Sequence, residues 1–101
     1  MKEKIELLRL REQAGEVTAT LKVLANQDRL LILCHLVQQE LNVSEIETAT
    51  GIEQPTLSQQ LTILRRSAVV TTRRDGKQIY YTIADERMVR LMQTLYGLYC
   101  N

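Results

Sequence analysis

Residues 42–66 read NVSEIETATGIEQPTLSQQLTILRR, and the fold turns on this stretch. Asn42 and Glu45 occupy the two positions of a capping box, in which the amide accepts from the third helical N–H and the carboxylate returns the bond. They open a short helix that carries Val43, Ile46 and Ala49. Gly51 can take the positive φ that ends such a helix, because it has no Cβ to clash. Pro55 is expected in the first turn of the next helix, where its missing N–H costs nothing. Leu57, Leu61 and Leu64 lie on one helical stripe that ends near Arg66. Two helices across the tight turn Gly51-Ile52-Glu53, over residues 43–66, make a helix-turn-helix.

Downstream the period changes. Residues 69–74 and 77–83 are rich in β-branched residues and tyrosine, with Asp75-Gly76 between them. Asp-Gly between two such runs predicts a β-hairpin, a wing over residues 69–83. Upstream, Ile5, Leu8, Ala14, Val17, Leu21 and Leu24 form the stripe of a helix over residues 4–24. Asn26 caps a second helix bearing Leu30, Leu31, Leu33, Cys34 and Val37, apolar enough to be buried on most sides. Asp85 caps a last helix, within residues 85–100, with Met88, Leu91, Leu95 and Tyr99 on one stripe and Met92, Tyr96 and Leu98 widening it. The fold class is therefore α+β, mostly helical: a winged helix-turn-helix in one domain over residues 1–101. The first and last helices carry more apolar surface than so short a chain can absorb, which predicts a homodimer through them. Two reading heads related by a two-fold axis would suit a palindromic operator in double-stranded DNA.

Composition narrows the function classes. Hydrophobic residues make up 45% and charged residues 25%, which excludes a disordered chain. No apolar run approaches the roughly 18 residues of a membrane span, and residues 1–12 lack a cleavage signal, so a cytoplasmic location is expected. The net charge of +1 conceals an asymmetry: residues 54–83 hold Arg65, Arg66, Arg73, Arg74 and Lys77 against the single acid Asp75. Such a basic segment in an otherwise acidic chain is a phosphate-binding footprint. On the reading helix Gln59 and Thr62 point outward, with Thr56 and Ser58 at the flanks and Gln54 just before it. Their amides and hydroxyls can meet base edges. The five basic residues would sit over phosphates and supply affinity without sequence choice. One histidine, His35, no glycine-rich phosphate loop and no nucleophile elbow leave catalysis little to use, and no cofactor is expected. Cys34 and Cys100 have no CxxC or zinc-type spacing, so no metal site is expected from them. Cys34 could be a small hydrophobe and Cys100 an indifferent thiol; a paired redox role stays open beside that.

Residues 24–33 (LANQDRLLIL), 43–52 and 54–61 (QPTLSQQL) resemble the ArsR/SmtB family of winged-helix repressors, and the similarity runs over about residues 17–100. The family's metal-sensing cysteine motif would fall near residues 41–45, where there is no cysteine, and the last helix has no histidine, only Asp85 and Glu86 at its start. Cys34 and Cys100 instead resemble the BigR/SqrR-type branch, which senses persulfides and other reactive sulfur species. That resemblance implies a repressor released from DNA when the two cysteines bridge through a disulfide or a polysulfide chain. An antirepressor, or a regulator acting through protein contacts with structural cysteines, is the alternative. Two departures stand out. Asn26-Gln27 replaces the common His-Pro, and Ala68 stands where family members often carry glycine; a positive φ there would cost Ala roughly 1 kcal/mol.

Overall fold

Side-chain caps start the helices where the sequence places them. In the computed structural model, which describes residues 5–100, the Asn26 side chain accepts from the Arg29 N–H at 3.0 Å and opens α2 (Gln27–Gln38). Asn42 and Glu45 exchange both capping-box bonds, at 2.8 and 2.9 Å, at the head of α3 (Val43–Thr50). Asp85 accepts from the Arg87 N–H at 2.8 Å and opens α5 (Glu86–Tyr99). Helix α1 (Leu7–Leu24) has no such cap. It begins after Ile5 and Glu6; the expected start at Lys4 lies outside the described residues.

Gly51, at φ 75°, ends α3, and its N–H donates to the Glu47 carbonyl. Helix α4 (Thr56–Arg66) begins after Pro55, which is its N-cap instead of its first turn. The cause is Gln54. Its side-chain oxygen accepts from the Ser58 N–H at 3.0 Å, so an orphan donor of the first turn is met from before the proline. Ala68 adopts φ 59°, the strained conformation expected for a position that suits glycine.

The sheet has three strands where two were expected. β1 (Leu41–Asn42) pairs with β3 (Gln78–Ile83), which pairs with β2 (Val70–Asp75), all antiparallel in the order β1-β3-β2. Two residues are too few to give β1 a readable alternation. The hairpin turn also lies one residue later than expected. Asp75 is paired with Gln78, and Gly76 and Lys77 form the two-residue loop. Gly76 has φ 65° and Lys77 does not share a positive φ, the arrangement that puts glycine first in the turn.

The core gathers Ile32, Leu33 and Leu36 from α2, Ile46 from α3, Leu57, Leu61 and Leu64 from α4, Tyr81 from β3, and Met88 and Met92 from α5. Burial of α2 is one-sided, contrary to expectation: Leu31 and Cys34 are exposed on its other face. On α5 Met92 joins Met88 inside, while Tyr99, expected on the same stripe, is 83% exposed. Helix α1 buries no residue at all. Only Val23 and Leu24, at its end, lean on the core.

Candidate nucleic-acid interface and thiol pair

The inward leucines fix which way α4 faces. With Leu57, Leu61 and Leu64 buried, Ser58, Gln59, Thr62, Arg65 and Arg66 are exposed and Thr56 is half-buried. These side chains are not equally free. Gln54 also accepts from the Ser58 hydroxyl, at 2.7 Å, and the Thr62 hydroxyl donates to the Ser58 carbonyl at 2.9 Å. Among the described residues Gln59 makes no side-chain hydrogen bond, which leaves its whole amide for a base edge. Ile63, one residue after Thr62, is 38% exposed on the same side. A search for polar readers passes over it, although an apolar side chain there matches the thymine methyl. Its outward position follows from the same leucine spacing.

The fold holds α4 through Arg29, which sequence reasoning missed. From the first turn of α2, its Nε donates to the Val23 carbonyl at 2.7 Å and another guanidinium nitrogen to the Lys22 carbonyl at 3.3 Å. The third nitrogen donates to Gln60 Oε1 on α4 at 2.9 Å. Among the described residues no other side chain hydrogen-bonds both α1 and α4.

The wing separates the basic residues that the sequence groups. Arg73 pairs with Tyr80 and Arg74 with Ile79, so strand alternation sends Arg73 and Arg74 to opposite faces. Arg74 and Lys77 are exposed, with no ion pair among the described residues. Arg73 is committed elsewhere: it donates to both oxygens of Glu40, at 2.8 and 2.7 Å, and its guanidinium carbon lies 4.6 Å from the Tyr80 ring centroid. That hydrogen bonding holds the Glu40 carboxyl below its usual range and the Arg73 guanidinium above its own. At the other end of the molecule Arg87 joins Asp85 (2.7 Å) and Glu16 (3.1 Å), tying the head of α5 to α1.

Cys34 sits on the exposed face of α2, and Cys100 caps α5 with its N–H on the Tyr96 carbonyl at 2.8 Å; both are free thiols. Partial loss of water pushes the Cys34 thiol up, and the charge of a Cys100 thiolate pushes it further. Helix α5 packs against α2, so the elements that carry the two cysteines are neighbours in the fold. Among the described residues no group of three or more His, Cys, Asp or Glu could hold a metal ion. None of the helices there is long and apolar enough to cross a membrane.

With this geometry in place, likeness to known proteins becomes informative. Residues 26–72 match the family described as "Bacterial regulatory protein, arsR family". The biofilm growth-associated repressor of Agrobacterium fabrum is 45% identical over 96 residues, which cover 95% of this chain and 82% of that protein. The chain belongs to the ArsR family. Its fold agrees with the crystal structure of the transcriptional repressor BigR from Xylella fastidiosa at a TM-score of 0.92 and 41% identity, covering 96% of this chain and 99% of that one. It also agrees with the homodimeric winged helix-turn-helix DNA-binding domain of a possible ArsR-family regulator from Mycobacterium bovis. There the TM-score is 0.76 at 36% identity, over 97% of this chain and 89% of that one. This ArsR-family chain is accordingly a winged helix-turn-helix transcriptional regulator and not an enzyme.

Proposed function

We propose that this regulator is a homodimeric repressor that grips a palindromic operator and lets go when reactive sulfur bridges Cys34 and Cys100. The observation that carries the reading is that α2, which bears the exposed Cys34, packs against α5, which ends at the exposed Cys100. Dimerisation through α1 and α5 is supported by the apolar surface they leave uncovered, including Leu7 and Leu98, each 72% exposed. The BigR and Mycobacterium relatives, a repressor and a homodimer, support the same arrangement. In the complex α4 would lie in the major groove, with Gln59 on base edges, Thr56, Ser58 and Thr62 beside it, and Gln54 holding the helix start. Arg65, Arg66, Arg74 and Lys77 would lie over phosphates.

The chemistry needs only thiolates. One cysteine thiolate attacks the outer sulfur of a persulfide RS–SH, forming Cys–S–SH and releasing RS⁻. The second thiolate attacks the cysteine-bound sulfur, closing a disulfide and expelling hydrosulfide; the two thiols lose two electrons and the sulfane sulfur gains them. A further sulfur transferred before closure would give the trisulfide. The bridge would join α5 to α2, and α2 holds the reading helix through Arg29 and Gln60. A coupling of about 1–3 kcal/mol would give a 5–150-fold loss of operator affinity.

Cys34→Ser and Cys100→Ser test this. Each should bind operator as the parent does under reduction and keep its grip when glutathione persulfide is added. Release of DNA by either variant on persulfide addition would refute the dithiol mechanism.

A further inference from the structure

The outer half of the wing has no core beneath it: residues 73–78 are all exposed. What gives this arm a direction lies on the outer face of the sheet, where Arg73 reaches from β2 across Tyr80 of β3 to Glu40, the residue before β1. The contact therefore runs from one edge strand across the middle one to the residue that leads into the other edge strand. Glu40 also sits in the short link between α2 and α3, so its position is set by the reading head itself. A bidentate guanidinium–carboxylate pair is planar and directional, and stacking on an aromatic face fixes its remaining freedom. The same pairing cancels the charge of Arg73, and Asp75 stands 4.0 Å away on another side of the guanidinium. To grip a phosphate with the same two-nitrogen edge, Arg73 would have to abandon both Glu40 oxygens, and its remaining nitrogen already faces the Asp75 carboxylate.

We propose that Glu40, Tyr80 and Arg73 form a clamp that positions the wing against the helix-turn-helix, and that Arg73 is not a phosphate ligand. Arg74 and Lys77, aimed by this clamp, are the phosphate contacts of the arm. The inference rests on the DNA-binding reading above but is independent of the thiol chemistry.

Salt dependence separates a positioning residue from a ligand. Each phosphate neutralised contributes about 0.9 to the slope of log Kobs against log salt, so removing one basic ligand per protomer lowers the slope of a dimer by about 1.8. The probe is a duplex that the reduced full-length protein enriches from a random-sequence pool, titrated by fluorescence anisotropy across potassium chloride concentrations. Arg74→Ala and Lys77→Ala should each lower the slope by that amount. Arg73→Ala should weaken binding by about fivefold, the scale of an exposed ion pair, with the slope unchanged. Glu40→Gln, although it removes a negative charge beside the DNA, should weaken binding to the same extent. The double variant should be no worse than either single one. Arg73→Lys keeps the charge but loses the fork, so it should behave like Arg73→Ala.

The clamp is overturned if Arg73→Ala lowers the slope as Arg74→Ala does, or if Glu40→Gln tightens binding and steepens the slope. Parental affinity in Arg73→Lys, or in both clamp variants, overturns it too. Failure of the DNA-binding reading looks different: the pool then yields no enriched duplex for the parent protein. Thermal melts of the variants, expected close to the parent for an exposed cluster, keep a folding defect from imitating the result.

Discussion

Removing the Arg29 guanidinium tests whether the reading helix is held through α2. Arg29→Met keeps most of the stem and deletes the three donors. Two of the lost bonds are short and half-buried, at 2.7 Å to the Val23 carbonyl and 2.9 Å to Gln60; the third, 3.3 Å to the Lys22 carbonyl, is exposed and counts for little. Hydrogen bonds from a charged donor contribute about 1.5–3 kcal/mol each, so the pair sets a ceiling of about 3–6 kcal/mol. Water can reach the vacated groups, and such terms add incompletely, which brings the expected loss to about 2–3 kcal/mol. For a urea m-value of about 1–3 kcal/mol/M, the denaturation midpoint should fall by roughly 1–2 M. The comparison needs reducing buffer and one protein concentration, because a dimer's stability depends on both. Gln60→Leu, combined with Arg29→Met in a double-mutant cycle, should give a coupling of about 1 kcal/mol or more. A loss below about 0.5 kcal/mol for Arg29→Met, the scale of an ordinary surface change, would refute the reasoning.

Three further outcomes follow from the backbone and the thiols. Ala68→Gly relieves a φ of 59° and should stabilise the protein by about 0.5–1 kcal/mol in the same urea assay, the gain being trimmed by glycine's freedom in the unfolded chain. Asn42→Ala breaks the capping-box bond to the Glu45 N–H and should cost about 1–2 kcal/mol there. Cys34, whose thiol is pushed up first by desolvation and then by Cys100, holds less thiolate than a free cysteine at any pH below its own titration. In Cys100→Ser the second cause is gone, but that cause acts only where Cys100 has lost its proton, so alkylation of Cys34 by iodoacetamide should match the parent near neutral pH and outpace it at alkaline pH, where cysteine thiols ionise. Equal Cys34 rates across the alkaline range would show that the two thiols do not sense each other.

Much of this architecture is written locally and can be read from sequence. Asn26, Asn42 with Glu45, Gly51 and Asp85 act on neighbours a few residues away, and each performs the capping or turning that its residue type favours. Local chemistry also exposed the strain at Ala68. Reading failed where the signal was too short or lay far off in the chain. The unbroken apolar run around Leu30–Leu33 has no polar face, so periodicity could not tell buried Ile32 from exposed Leu31. A two-residue strand leaves no alternation, and β1 was invisible. The one-residue slip of the hairpin turn came from giving Asp75 a turn position when its backbone pairs with Gln78. Arg29 stood out only as part of the run that resembles the family, and Arg73 read as a phosphate contact, because their partners, Gln60 and Glu40, are more than thirty residues away. The outward face of α4 was legible, yet which of its side chains are already hydrogen-bonded was not.

Thiol-controlled repression requires one correlation, between covalent state and grip. Reduced protein bound to its enriched duplex should be exposed to increasing glutathione persulfide, with bound DNA and Cys34–Cys100 cross-linked peptide quantified by mass spectrometry from the same samples. The bound fraction should fall in step with the bridged fraction, and reduction should restore both. Bridged protein that still holds the duplex at parental affinity, or DNA released while the two cysteines remain unlinked, would contradict it.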